Sequence, residues 1–175
     1  MPESDKTPSD SLTQPLIIAA PIDTQGADVF DLVRRCKPLD ENSLYCNLLQ
    51  CSHFAATSAA ATSGDELVGF VSGYRIPARP DTLFVWQVAV DARARGQKLA
   101  QRLIRDILER EHNRDCRYLE TTITPGNDAS FGLFRSLARG LDAEIVERVM
   151  FERQSHFRDR HDEEILLRIG PFSIA

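Results

Sequence analysis

The chain has no run of about 18 consecutive apolar residues, so it offers no candidate for a membrane-spanning helix. Its opening, Met1 to Gln14, is rich in Ser, Thr, Pro and Asp and lacks the apolar stretch of a signal peptide. A disordered arm over 1–14 is the expectation. Surplus positive charge is missing as well: 21 Lys and Arg stand against 26 Asp and Glu, a net charge of −5. That balance gives no overall field for nucleic acid. Cys36, Cys46, Cys51 and Cys116 show neither CxxC spacing nor a histidine pattern beside them, which excludes the usual zinc arrangements, and no metal is expected. They read as buried, reduced thiols, and the cytoplasm is the simplest setting. No internal repeat is present. At 175 residues, one domain over 15–172 with a full core is expected.

What is there alternates between strand and helix patterns. Leu16–Ala19 reads as a strand, and Asp23 or Thr24 as the cap of a helix running to about Cys36. Pro38 ends that helix. Asp40 to Ser43 then supplies caps for a second one, in which Tyr45, Leu48 and Leu49 form an apolar stripe, ending near Ser52. Phe54–Thr62 and Leu67–Tyr74 read as a hairpin, and a loop containing Pro77 and Pro80 leads to a central strand over Thr82–Val90. A third helix follows, with Ala100, Leu103, Ile104, Ile107 and Leu108 at i, i+3, i+4, i+7 and i+8. Tyr118–Ile123 is a strand and Asn127–Leu137 a helix. Strands over Glu144–Glu152 and Ile165–Ile169 close the chain. The order is mixed α/β.

The segment Phe84 to Ile104 is the most informative. It is a strand, a tight basic turn and a helix, with Arg93, Arg95, Lys98 and Arg102 clustered at the junction. Such a junction turns the free N–H groups of a first helical turn toward one point, where the helix dipole also favours an anion. That is a physical recipe for a diphosphate; the alternative is a solvated helix start.

Val88-Ala89-Val90, four residues, then Arg95-Gly96-Gln97-x-Leu99-Ala100 resembles motif A of the GNAT-type N-acetyltransferases. The resemblance implies a mostly antiparallel, splayed sheet with about four helices (α+β) and acetyl-CoA as co-substrate. It further implies that Val88, Ala89, Val90 and the loop Arg95, Gly96, Gln97, Lys98, Leu99, Ala100 hold the cofactor, with Asn127, Ser130 and Phe134 along the pantetheine arm. The N–H of Val88 would stabilise the oxyanion, an effect of about 3 kcal/mol. Asn127 reads equally well as a helix N-cap. Two departures stand out. Lys98 replaces a glycine of the motif, so it must take a helix-compatible backbone with its ammonium toward the phosphates, or weaken the grip through its Cβ. Phe134 stands where many members of the family carry an acid tyrosine, which leaves Tyr45 as a candidate by elimination.

Several segments beyond motif A, some without a cofactor role, are similar to the L-2,4-diaminobutyrate acetyltransferases of ectoine biosynthesis: Pro38-Leu39-Asp40-x-Asn42-Ser43-x-Tyr45, Gly69 to Tyr74, Arg79 to Val88, Leu119 to Pro125, and Arg168 to Pro171. The resemblance implies acetylation of the 4-amino group of diaminobutyrate by a homodimer, with Trp86, Tyr45 and Val88 at the chemistry. Asp40, Tyr45, Trp86, His161 and Glu164 are the implied substrate contacts. Asp40 read alone is also a helix-cap aspartate, Trp86 a core tryptophan and His161 a loop histidine. The substrate carboxylate has Arg75, Arg79, Arg168 or backbone N–H groups to choose from. Two other readings stay open: a GNAT enzyme for a polyamine or a protein N-terminus, and a non-catalytic acyl-CoA-binding regulator.

Overall fold

The computed structural model describes Leu12 and residues 14–174; most of the expected arm over 1–14 lies outside the described residues. Seven strands form one sheet in the order β1-β2-β3-β4-β5-β7-β6: β1 Leu16–Ala19, β2 Ala59–Ser63, β3 Glu66–Ile76, β4 Arg79–Val90, β5 Tyr118–Ile123, β6 Ile145–Phe151 and β7 Glu164–Ile169. Every pairing is antiparallel except β4 with β5, which is parallel. The four helices are α1 Gly26–Arg35, α2 Leu44–Ser52, α3 Leu99–Glu109 and α4 Asp128–Gly140. This is the mixed, mostly antiparallel sheet with four helices that the sequence implied.

Two cores sit on opposite faces of the sheet. On one, Leu103, Ile104, Ile107 and Leu108 of α3 are fully buried against Leu83, Val85 and Leu119. Each such side chain contributes about 1.5–3 kcal/mol through removal from water. On the other face, Val29, Leu32 and Val33 of α1 pack on Ala60, Phe70 and Ala89. Gly26 lets α1 and α2 meet closely, since a Cβ there would lie 2.6 Å from Leu48 Cδ2.

The structure corrects several local expectations. Neither Asp23 nor Thr24 caps α1; a 3-10 turn over Asp23–Gln25 precedes it, and the Gln25 side chain takes the Ile22 N–H at 3.0 Å. The expected strand over Phe54–Thr62 begins only at Ala59. Its first residues form a 3-10 turn because Arg110, the residue just after α3, collects the carbonyls of Ala55, Ala56 and Ser58, which therefore enter no ladder. The proline loop shrinks to Pro77-Ala78, with Arg79 already in β4. The third helix does not start at once: a 3-10 turn over Ala92–Ala94 intervenes. The largest correction concerns α2. The stripe expected to face the core does not: Tyr45 is 70% exposed and Leu48 37%, while Asn47, Gln50 and Cys51 are buried. Asn47 Nδ2 donates to Gln50 Oε1 at 2.9 Å, which links the two amides under the helix, while Asn47 Oδ1 and Gln50 Nε2 are buried without a partner among the described residues.

Candidate active site

Two irregularities in β4 open the site. Ser72 of β3 stands opposite Gln87 and Gly73 opposite Val85, so Trp86 is an extra residue, a β-bulge that re-aims its side chain. The indole is 46% exposed and meets Tyr74 edge-on, with ring centroids 6.3 Å apart. Tyr74 also packs on Phe84 at 5.3 Å, so an aromatic row leads up to Trp86. The second irregularity is the parting of β4 from β5, whose ladder covers only Thr82–Phe84 with Tyr118–Glu120. Beyond it, a cleft of about 260 Å³ opens, lined by Asp40, Trp86, Val88, Thr122, Phe134 and Glu164 among others.

Asn127 and Ser130 also line the cleft. Asn127 Oδ1 accepts the Ser130 N–H at 3.1 Å, so the residue caps α4 and faces the cleft at once. Phe134 is buried against the core from α4 and brings no ionisable group to the cleft.

The cleft mouth is acidic. Asp40 does not cap α2; Ser43 does, accepting the Cys46 N–H at 3.1 Å, and the Asp40 carboxylate is left exposed. Glu164 is mostly covered and accepts from Thr124 Oγ1 at 3.1 Å. His161 lies between the two carboxylates, its Nε2 3.9 Å from Asp40 Oδ2 and its Nδ1 4.0 Å from Glu164 Oε1. Nδ1 is 2.6 Å from the Asp162 carbonyl, which can only accept, so the Nδ1–H is committed there and Nε2 is left toward Asp40. Phe157 packs on the imidazole at 4.8 Å. Tyr45 is not brought to this cleft; it stands on the outward face of α2.

The loop beyond Val90 has the geometry of an anion cradle. Arg102 N–H donates to the Lys98 carbonyl at 3.0 Å as the first helical bond, so the N–H groups of Leu99, Ala100 and Gln101 have no helical partner. Gly96 has φ +79, and Lys98 has φ +55 and ψ +27. Lys98 thus does not take the helix-compatible backbone: it keeps the left-handed conformation a glycine would take and stays exposed. Of the basic cluster, Arg93 is withdrawn. It binds Asp91 and Glu66, and the Arg93 contacts hold the buried Asp91 carboxyl below its usual range. Arg95, Lys98 and Arg102 remain exposed.

All three arginines considered for the substrate carboxylate are engaged. Arg75 binds Asp115 at 2.7 Å and the His112 carbonyl at 2.9 Å. Arg79 and Arg168 both bind Glu120, which is 1% exposed. Burial pushes the Glu120 carboxyl up, but the two guanidiniums outweigh it and hold the group below its usual range. Among the described residues no group of three or more His, Cys, Asp or Glu is placed to hold a metal ion, and no helix is long and apolar enough to cross a membrane.

The sequence reading passed over Thr121, Thr122, Thr124 and Gln87. The signal was the presence of polar residues at the ends of strands that otherwise read as buried.

The model of the acetyltransferase (GNAT) family matches residues 27–138, which span α1 to α4 and include the parted strands and the cradle. The chain belongs to the GNAT acetyltransferase family. Within that family it resembles the L-2,4-diaminobutyric acid acetyltransferase of Methylotuvimicrobium alcaliphilum, 56% identical over 164 residues that cover 93% of this chain and 95% of that protein. The Halomonas elongata protein of the same name is 46% identical, covering 90% and 82%. Among solved structures, diaminobutyrate acetyltransferase from Paenibacillus lautus, in complex with its substrate L-2,4-diaminobutyric acid and coenzyme A, superposes with a TM-score of 0.86. It is 34% identical and covers 93% of this chain and 98% of that one. Ard1 from Thermoplasma volcanium, at 14% identity and a TM-score of 0.70 over 89% and 97% of the chains, shares the GNAT fold.

Proposed function

We propose that this GNAT enzyme transfers the acetyl group of acetyl-CoA to the 4-amino group of L-2,4-diaminobutyrate. The products are 4-acetamido-2-aminobutanoate, the precursor of ectoine, together with CoA and a proton. The observation that carries this reading is the acidic mouth of the cleft, where Asp40 and Glu164 flank His161 beside Trp86 and Val88. A diamino acid brings two ammonium groups, and carboxylates of this kind neutralise one while the other reacts.

The cradle fits the diphosphate of CoA. Its Leu99, Ala100 and Gln101 N–H groups and the helix dipole face the anion, and Arg95 and Lys98 add charge. From there the pantetheine arm runs between the parted strands, past Asn127 and Ser130, to Val88, whose N–H we assign to the oxyanion.

The attacking amine must be neutral. An alkylammonium with a reference pKa of about 10.4 resists deprotonation at pH 7 by on the order of 4 kcal/mol. His161 Nε2, with Nδ1–H held by the Asp162 carbonyl, is the free basic nitrogen at the mouth and the group we assign to orient the amine and relay its proton. Trp86 supplies an apolar, cation–π wall that desolvates the amine. With Tyr45 on α2's outer face and Phe134 without a hydroxyl, the departing thiolate draws its proton from solvent or from the relay.

The working form is a homodimer in this reading. Leu44, Tyr45, Leu48 and Phe54, on α2 and just after it, are large apolar side chains exposed by 37–70%, the kind of surface a partner subunit covers. Tyr45, placed on that surface, would then lie in the interface. The cytoplasm is the setting we assign, and the four unpaired thiols suit it.

Steady-state turnover of acetyl-CoA with diaminobutyrate, spermidine and an N-terminal peptide tests the reading. The expected kcat/KM order has diaminobutyrate highest by at least a hundredfold; preference for either other amine overturns it.

A further inference from the structure

Asp40 presents its carboxylate from the loop between α1 and α2 and belongs to no strand or helix itself. A carboxylate that selects an ammonium must be fixed to within a fraction of an ångström, and an exposed loop residue is not fixed by its own side chain. The fixing comes from Gln87. Its Nε2 donates to the Asp40 carbonyl at 2.7 Å, and its Oε1 accepts from Asn42 Nδ2 at 3.2 Å. One amide therefore grips the loop on both sides of Glu41. The chemistry fixes the amide's orientation: the Asp40 carbonyl can only accept, so the nitrogen must face it.

Gln87 is itself held by the sheet. It lies directly after the Trp86 bulge and before Val88, paired with Ser72 of β3. The same stretch of β4 thus carries the indole wall, the oxyanion donor and the anchor of the carboxylate. The bulge decides which face Gln87 occupies, because one extra residue reverses the alternation of side chains along the strand.

We propose that Gln87 is a positioning residue that sets the distance from Asp40 to the acetyl-transfer point, and so sets how strongly the 2-ammonium of the substrate is read. This rests on the assignment of diaminobutyrate as substrate. Gln87 also lines the cleft, but both ends of its amide are taken up by Asp40 and Asn42, so it acts through Asp40. Glu at this position would set a carboxylate against the Asp40 carbonyl, and Met would fill the same space without a hydrogen bond.

The test compares wild type, Gln87→Met, Gln87→Glu and Asn42→Ala with diaminobutyrate and with 4-aminobutyrate, which lacks the 2-ammonium. CoA affinity is measured by calorimetry on the same proteins. The expected result for Gln87→Met is a KM for diaminobutyrate raised about tenfold and a preference over 4-aminobutyrate reduced about tenfold, with CoA affinity within twofold. Asn42→Ala, which leaves the bond to the Asp40 carbonyl, shifts both by less, and Gln87→Glu by at least as much as Met. An unchanged preference in Gln87→Met, or an equal loss of CoA affinity, overturns the inference. Wild type that does not acetylate diaminobutyrate overturns the substrate assignment instead, so the two failures are distinct.

Discussion

Thr121 Oγ1 donates to the Val85 carbonyl across 3.0 Å, at the point where β4 and β5 stop pairing. A side chain thus closes the end of the parallel ladder and leaves the backbone beyond it open toward the cleft. Thr121→Val keeps the shape and strands the buried carbonyl, at a cost of about 1–2 kcal/mol. Thermal unfolding should show the loss, and KM for acetyl-CoA should rise because the width of the cleft is no longer fixed.

Glu120 predicts an acid limb in the stability curve. Its folded pKa lies below the usual 4.5, so its stabilisation is complete above that value and is lost as pH falls through the folded pKa. Urea midpoints between pH 7 and pH 3 should fall more steeply for wild type than for Glu120→Gln. At pH 7, Arg168→Met leaves the buried carboxylate with the half-exposed Arg79 alone and should cost on the order of 3 kcal/mol.

Lys98 holds a glycine's conformation at φ +55. Lys98→Gly should relieve about 0.5–1 kcal/mol of backbone strain, read as a rise in Tm. It should also weaken CoA binding a few-fold at low salt, with the difference vanishing at high salt, because a charge near the diphosphate is removed. Tighter binding at every salt concentration would make the lysine a liability.

Asp40→Asn and Trp86→Ala should separate the two halves of the site. Both are expected to cut kcat/KM for diaminobutyrate by at least tenfold while CoA affinity, measured by calorimetry, stays within about twofold.

The strands and helices were legible where pattern and packing agree. The repeat of Leu103, Ile104, Ile107 and Leu108 leaves one burial solution, and β5 matches its sequence bounds of Tyr118–Ile123. The α2 face was not legible, because hydrophobicity predicts burial within one chain and Tyr45 and Leu48 are bare there. The turn leading into α3 was readable from its spacing, yet the loss of Arg93 to Asp91 and Glu66 was not: those partners lie 2 and 27 residues away and meet it only in the fold. The bulge at Trp86 is a register event between β3 and β4, which alternation on a single strand cannot reveal. Gln87 stayed hidden for that reason.

The most direct measurement is NMR of the product formed from acetyl-CoA and L-2,4-diaminobutyrate. The geometry of Asp40, His161 and Trp86 predicts a single 4-acetamido product with a free 2-ammonium. A 2-acetamido product, or a mixture of the two, would contradict it.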